Sequence, residues 1–194
     1  MPAQKRKPLV PVLDWKPAPA SSNGVAIEKQ ILGKIARTKY FLISTEADLT
    51  PEALNADAII LWQNTKVTER VMAKMVNCRV FVRNGVGYDT VDIDAAARLG
   101  IPVCNVPDYG TEEVADHAIA LAMAQVRQLF PLNQEAKRLG WKLHIKDKLR
   151  RLSTLTFGIV GLGRIGTACA LCAKALGFRV MFHDPYLPPG AHKA

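Results

Sequence analysis

The chain has 194 residues, 49% hydrophobic and 22% charged, a composition that excludes intrinsic disorder and suits one large domain or a domain with part of a second. No apolar run approaches the roughly 20 residues that a membrane-spanning helix needs. The formal net charge is +9, but Lys5, Arg6, Lys7 and the segment 137–151 carry the whole excess; with no zinc-ligand, helix-turn-helix or RNA-recognition pattern beside them, nucleic-acid binding is not expected.

The start, MPAQKRKPLVPVLDW, is basic but lacks the apolar stretch and small-residue cleavage site of a secretion signal, so a soluble, cytoplasmic protein is expected. Cys78, Cys104, Cys169 and Cys172 show no disulfide-framework spacing and are expected to be reduced. Cys169-x-x-Cys172 falls inside a predicted helix rather than at its N-terminus, where a dipole would activate a thiol. It is read as packing, and no metal site is expected.

Five short apolar runs follow in chain order: LVPVLD at 9–14, YFLIST at 40–45, AIILWQ at 58–63, RVFVRNG at 79–85 and IPVCNVP at 101–107. Runs of this length that do not alternate fit strands buried on both faces of a parallel sheet. Helix candidates lie between them at 25–37, 51–54, 68–75 and 92–99, and the Pro/Ala/Ser-rich WKPAPASSNG is a surface turn. In the last helix Asp92 is placed to cap the N-terminus, and Gly100 to end it in the left-handed conformation. The alternation predicts an α/β fold, a doubly wound parallel sheet.

Next, Thr111 is the expected N-cap of a long helix that runs without a breaker to Pro131, with Glu112 and Glu113 at its positive end. Its apolar residues crowd nearly all round, so burial between parts of the molecule or between subunits is expected. After the basic segment, FGIVGLGRIGTACA reads as strand, glycine turn and helix, and FRVMFHD as a second strand that closes at Asp184. Each glycine has a separate task in such a turn. Gly161 permits the tight bend, Gly163 lets backbone amides approach a pyrophosphate, and Gly166 lets the helix pack on the strand. The amides around Arg164 and Ile165 then face an anion at the helix N-terminus. Asp184 stands where a carboxylate accepts from an adenosine ribose, which favours NAD over NADP. Gly85, Val86 and Gly87 form a turn at the end of a buried strand, where ligands of open parallel sheets gather; exposed amides there suit a carboxylate, and a plain structural turn reads the same way.

The residues NGVGYDTVD, AAARLGIPVCNVP, TEEVADHAIAL and FGIVGLGRIG with HDPY resemble the D-isomer-specific 2-hydroxyacid dehydrogenases. VCNVP, EEVAD and DPYLPPG are similar to the branch that contains the C-terminal-binding-protein co-repressors. The resemblance implies a flavodoxin-like substrate domain at 8–110, an interdomain helix and basic linker at 111–150, and the first βαβ unit of a Rossmann NAD-binding domain at 151–194. It implies hydride transfer between NAD and a small 2-hydroxy or 2-oxo acid, with the substrate carboxylate on the amides of Val86 and Gly87. The cofactor would lie on Gly161, Gly163, Arg164, Ile165, Gly166 and Asp184, with Thr111 beside it, and the long helix would contribute to a homodimer.

One departure is Thr154, where the family usually has glycine shortly before the nucleotide strand. The family's catalytic arginine, carboxylate and histidine are expected beyond Ala194, so no catalytic residue is assigned and the chain is expected to be an N-terminal fragment, inactive alone. The alternative is a shortened, non-catalytic paralogue that binds or dimerises. His117, His144, His183 and His192 are read as structural or solvated.

Overall fold

In the first half of the chain the short apolar runs become the strands of one parallel sheet. The computed structural model describes residues 6–15, 25–62, 65–140 and 149–188. The surface turn WKPAPASSNG, His144, His192 and the middle of the basic segment lie largely or wholly outside them. Two compact units divide the chain, Met1–Pro107 and Asp108–Ala194.

In the first unit β1 (Leu9–Trp15), β2 (Arg37–Ile43), β3 (Ile59–Leu61), β4 (Phe81–Arg83) and β5 (Val103–Cys104) pair in the order β2-β1-β3-β4-β5. All these pairings are parallel, and the order is that of flavodoxin-like sheets. Pro11 has no N–H for a ladder bond; pairing with β3 begins at the next residue, Val12, opposite Ile60. The connecting helices are α1 (Ala26–Leu32), α2 (Pro51–Leu54), α3 (Glu69–Met72) and α4 (Ile93–Arg98). Leu13, Ile59, Leu61, Met72, Met75 and Phe81 are fully buried and form the centre of the core.

Helices 25–37 and 68–75 are shorter than expected. Gly33 caps α1, and Arg37 already belongs to β2, which as an edge strand is mostly half-exposed rather than buried on both faces. The α4 ends follow the reading: Asp92 accepts from the Ala95 amide at 2.9 Å, and Gly100 has φ +67°.

The second unit contains α5 (Thr111–Val126), α6 (Leu129–Leu139), β6 (Thr156–Val160), α7 (Arg164–Ala175) and β7 (Arg179–His183). Strands β6 and β7 are parallel, in register from Thr156↔Arg179 to Val160↔His183, and α7 crosses between them as a βαβ unit. Three expectations are corrected. Gly110, not Thr111, holds the N-cap position of α5, and Thr111 is the first helical residue. The long helix stops at Val126 because Gln128 turns left-handed at φ 55°. Pro131 does not end it but sits in the first turn of α6, where a missing N–H costs no intrahelical bond. Within its own unit α5 buries only Ala115 and Ala124, and Val114 and Leu121 are half-exposed. Among the described residues no helix is long and apolar enough to cross a membrane.

Candidate functional site

The glycine turn joins the C-terminal end of β6 to the N-terminus of α7. Gly161 has φ +88°, a region that L side chains rarely adopt. A Cβ on Gly166 would collide with the Gly161 carbonyl oxygen and press on Ile159, so the helix meets the strand through a hydrogen atom. A Cβ on Gly163 would meet nothing within 4 Å; the space above it is open. The first cap bond of α7 is donated by the Thr167 amide to Gly163 O at 2.9 Å. The amides of Gly163, Arg164, Ile165 and Gly166 therefore have no acceptor among the described residues, and they stand at the positive end of a 12-residue helix.

Asp184 follows β7 and is fixed by the turn it faces. Its Oδ2 accepts from the Leu162 amide at 2.7 Å, inside the glycine turn, and its Oδ1 accepts from the Tyr186 amide at 2.9 Å. The carboxylate thus lies directly against the loop whose amides are open. Arg164 carries an open amide, while its guanidinium lies 3.4 Å from Asp108. Thr111 opens α5 in the same unit and donates its amide to Asp108 O at 3.3 Å. Ala115 of α5 shares a core cluster with Ile159, Leu162 and Cys169, which ties α5 to the base of the turn.

The NGVG loop belongs to the first unit. Asn84 donates to Leu61 O, Gly85 to Arg83 O and Val106 to Gly85 O, which pins the loop's base. The amides of Val86 and Gly87 donate to no described acceptor, and both residues are exposed. Asn105 Nδ2 donates to Val86 O at 2.8 Å and fixes the peptide's orientation.

Reading the sequence missed Arg83. Its guanidinium lies over Gly85, with Nη1 2.5 Å from where a Cβ would stand, and its Nε and Nη1 are buried without a hydrogen-bond partner. Buried guanidinium hydrogens without an acceptor are costly. The available signal was a charged residue ending an apolar strand.

Of the other candidates, His183 adjoins the glycine turn, its carbonyl accepting the Gly161 amide at 2.8 Å. His117 and His183 are exposed. Cys169 is buried, its Sγ 3.7 Å from Ala115 O, and burial pushes its thiol pKa up, opposite to the shift a reactive CxxC thiol needs. Thr154 stands without strain in a 3₁₀ turn: its φ is not positive, and its hydroxyl donates to Arg151 O at 2.8 Å. Among the described residues no group of His, Cys, Asp and Glu could hold a metal ion.

Comparison with known proteins places this geometry in a family. The model of the D-isomer specific 2-hydroxyacid dehydrogenase catalytic domain matches residues 20–181. The D-3-phosphoglycerate dehydrogenase of Synechocystis is 35% identical over 159 residues, covering 81% of this chain and 28% of the relative. Its counterpart in Methanocaldococcus jannaschii is 33% identical, covering 82% and 30%. Among solved structures, the Aquifex aeolicus D-lactate dehydrogenase complexed with NAD and lactic acid aligns with a TM-score of 0.74 at 26% identity, covering 93% of this chain and 52% of that one. The 2-hydroxyacid dehydrogenase of Ketogulonicigenium vulgare gives 0.74 at 26%, covering 95% and 57%. The chain thus spans under a third of these curated relatives and just over half of the solved structures. With a parallel α/β sheet of this order and a family match over most of its length, the chain belongs to the D-isomer specific 2-hydroxyacid dehydrogenase family.

Proposed function

We propose that the protein binds NAD at the glycine turn and serves hydride transfer between that cofactor and a small 2-hydroxy or 2-oxo acid. The observation that carries the proposal is the set of open amides from Gly163 to Gly166, with Asp184 anchored beside them through the Leu162 amide. The donor set fits a pyrophosphate: backbone N–H groups and a helix dipole favour the anion, and the empty space over Gly163 admits it closely. Asp184 would accept from ribose hydroxyls, and its carboxylate would repel the 2′-phosphate of NADP. When bound, NAD would give or take the hydride.

At the other end of the reaction, the Val86 and Gly87 amides would hold the acid's carboxylate, and Arg83 would add the positive charge that a carboxylate favours. Proton transfer is assigned to no described residue. Within the family we place the chain beside the co-repressor-like branch, on VCNVP, EEVAD and DPYLPPG. Self-association through α5 belongs to the same reading, with half-exposed Val114 and Leu121 as the apolar side chains it would cover.

Calorimetric titration with NAD and with NADP tests the cofactor, and the decrease of NADH absorbance with a panel of 2-oxo acids tests the reaction. Saturable binding that favours NAD, and loses that preference in Asp184→Asn, is the expected result. Tighter binding of NADP, or no binding of either, would sink the assignment. NAD binding without turnover of any acid would uphold the cofactor assignment and agree with a chain inactive alone.

A further inference from the structure

We propose that Asp108 is a built-in competitor for the anion at the glycine turn: its carboxylate holds Arg164 in an ion pair that a dinucleotide must displace. This rests on the reading of the turn as a dinucleotide site.

Arg164 is the first residue of α7, and its backbone amide is one of the four without an acceptor among the described residues. Its guanidinium Nη1 lies 3.4 Å from Asp108 Oδ2, so the cation of the turn is already neutralised by the chain's own carboxylate. Both side chains are mostly exposed, at 61% and 67%, and such a pair is weak and exchanges readily with another anion.

The position of Asp108 does not depend on the pair alone. Its carbonyl accepts the Thr111 amide at the start of α5. Helix α5 is held to the turn through the cluster of Ala115, Ile159, Leu162 and Cys169. The backbone that carries Asp108 is therefore tied to the base of the turn, and its carboxylate remains within reach of the positive end of α7.

An arriving pyrophosphate would gain Arg164 but meet the charge of Asp108 at short range, so two opposed effects set its affinity. Repulsion between like charges near a surface is comparable in size to the attraction of an exposed pair, and the carboxylate lowers the affinity. The arrangement keeps Arg164 neutralised in the empty site and favours release of the bound dinucleotide.

The test uses the intact chain, with NAD titrated by calorimetry at low and high ionic strength. Asp108→Asn is expected to bind NAD about threefold more tightly than wild type at low salt, with the difference shrinking as salt screens the charges. Arg164→Ala is expected to bind more weakly than wild type, and adding Asp108→Asn to it should recover less than the single substitution gains. Because both side chains are exposed, each variant should melt with the wild type, which separates charge from folding. Unchanged or weaker binding by Asp108→Asn, with wild-type binding intact, overturns the competition; weaker binding would mean that Asp108 holds Arg164 ready for the phosphate. If no variant binds NAD at all, the dinucleotide reading falls and this inference falls with it.

Discussion

Gly166 packs against the Gly161 carbonyl so closely that a side chain there would force strand and helix apart, whereas Gly163 faces open space. The spacing of the turn makes both residues glycine, but for separate physical reasons that a substitution pair distinguishes. Gly166→Ala is expected to cost about 1–3 kcal/mol through overpacking against rigid backbone. Gly163→Ala places its methyl in free space at a negative φ and costs about 0.5–1 kcal/mol as an N-cap change. Urea unfolding of both variants followed by circular dichroism checks this, and equal losses would mean the two roles are wrongly divided. At this scale the sequence made the backbone-driven residues legible, since GLGRIG states the positions where a side chain is excluded. It did not show Arg83 over Gly85, or Leu162 donating to Asp184 from 22 residues away. The second contact depends on which strand ends lie side by side and the first on the path the Arg83 side chain takes over its own loop, and local spacing carries no record of either.

Helix boundaries were legible where a side chain or a glycine sets them, as Asp92 and Gly100 do for α4. The break between α5 and α6 was not, because neither Gly nor Pro marks it and Gln128 takes the left-handed conformation instead. That conformation costs an L-residue roughly 1–2 kcal/mol, and the side chain returns little of it through a long 3.5 Å contact from Nε2 to Gln125 O. Gln128→Gly should therefore raise stability by about 0.5–1 kcal/mol, since glycine adopts positive φ at no steric cost and gives back only part of the gain as chain entropy. Gln128→Val, β-branched and poorly tolerated at positive φ, should lower it. Chemical denaturation of the pair is the measurement. If Gln128→Gly were destabilising while Gln128→Val was neutral, the two helices would have to run on as one in solution, as the uninterrupted apolar pattern suggests.

Across the whole molecule the two units differ in how much apolar surface each covers for itself. Among the described residues the first has five paired strands around fully buried Leu13, Ile59, Leu61 and Phe81. The second has, among its described residues, two paired strands with α7 over one face and Val160 88% and Met181 64% exposed on the other. The parallel α/β class was readable because alternating strands and helices leave few ways to bury both faces of a sheet. The inequality of the two units was not, since FGIVG and VMFHD are as apolar as the strands of the first unit and only the count of neighbouring strands separates them. An isolated two-stranded pair is marginal without further cover, so the units should differ in local opening free energy. Native-state hydrogen exchange should find the ladder amides of β6 and β7 exchanging about a hundredfold faster than those joining β1, β3 and β4. If the nucleotide reading is right, saturating NAD should slow exchange in β6, the glycine turn and β7 while leaving β1 and β3 unchanged, because ligand binding protects the unit that holds it. Equal protection of both sheets without ligand would show that the second unit is stabilised by more than its own strands and helices supply.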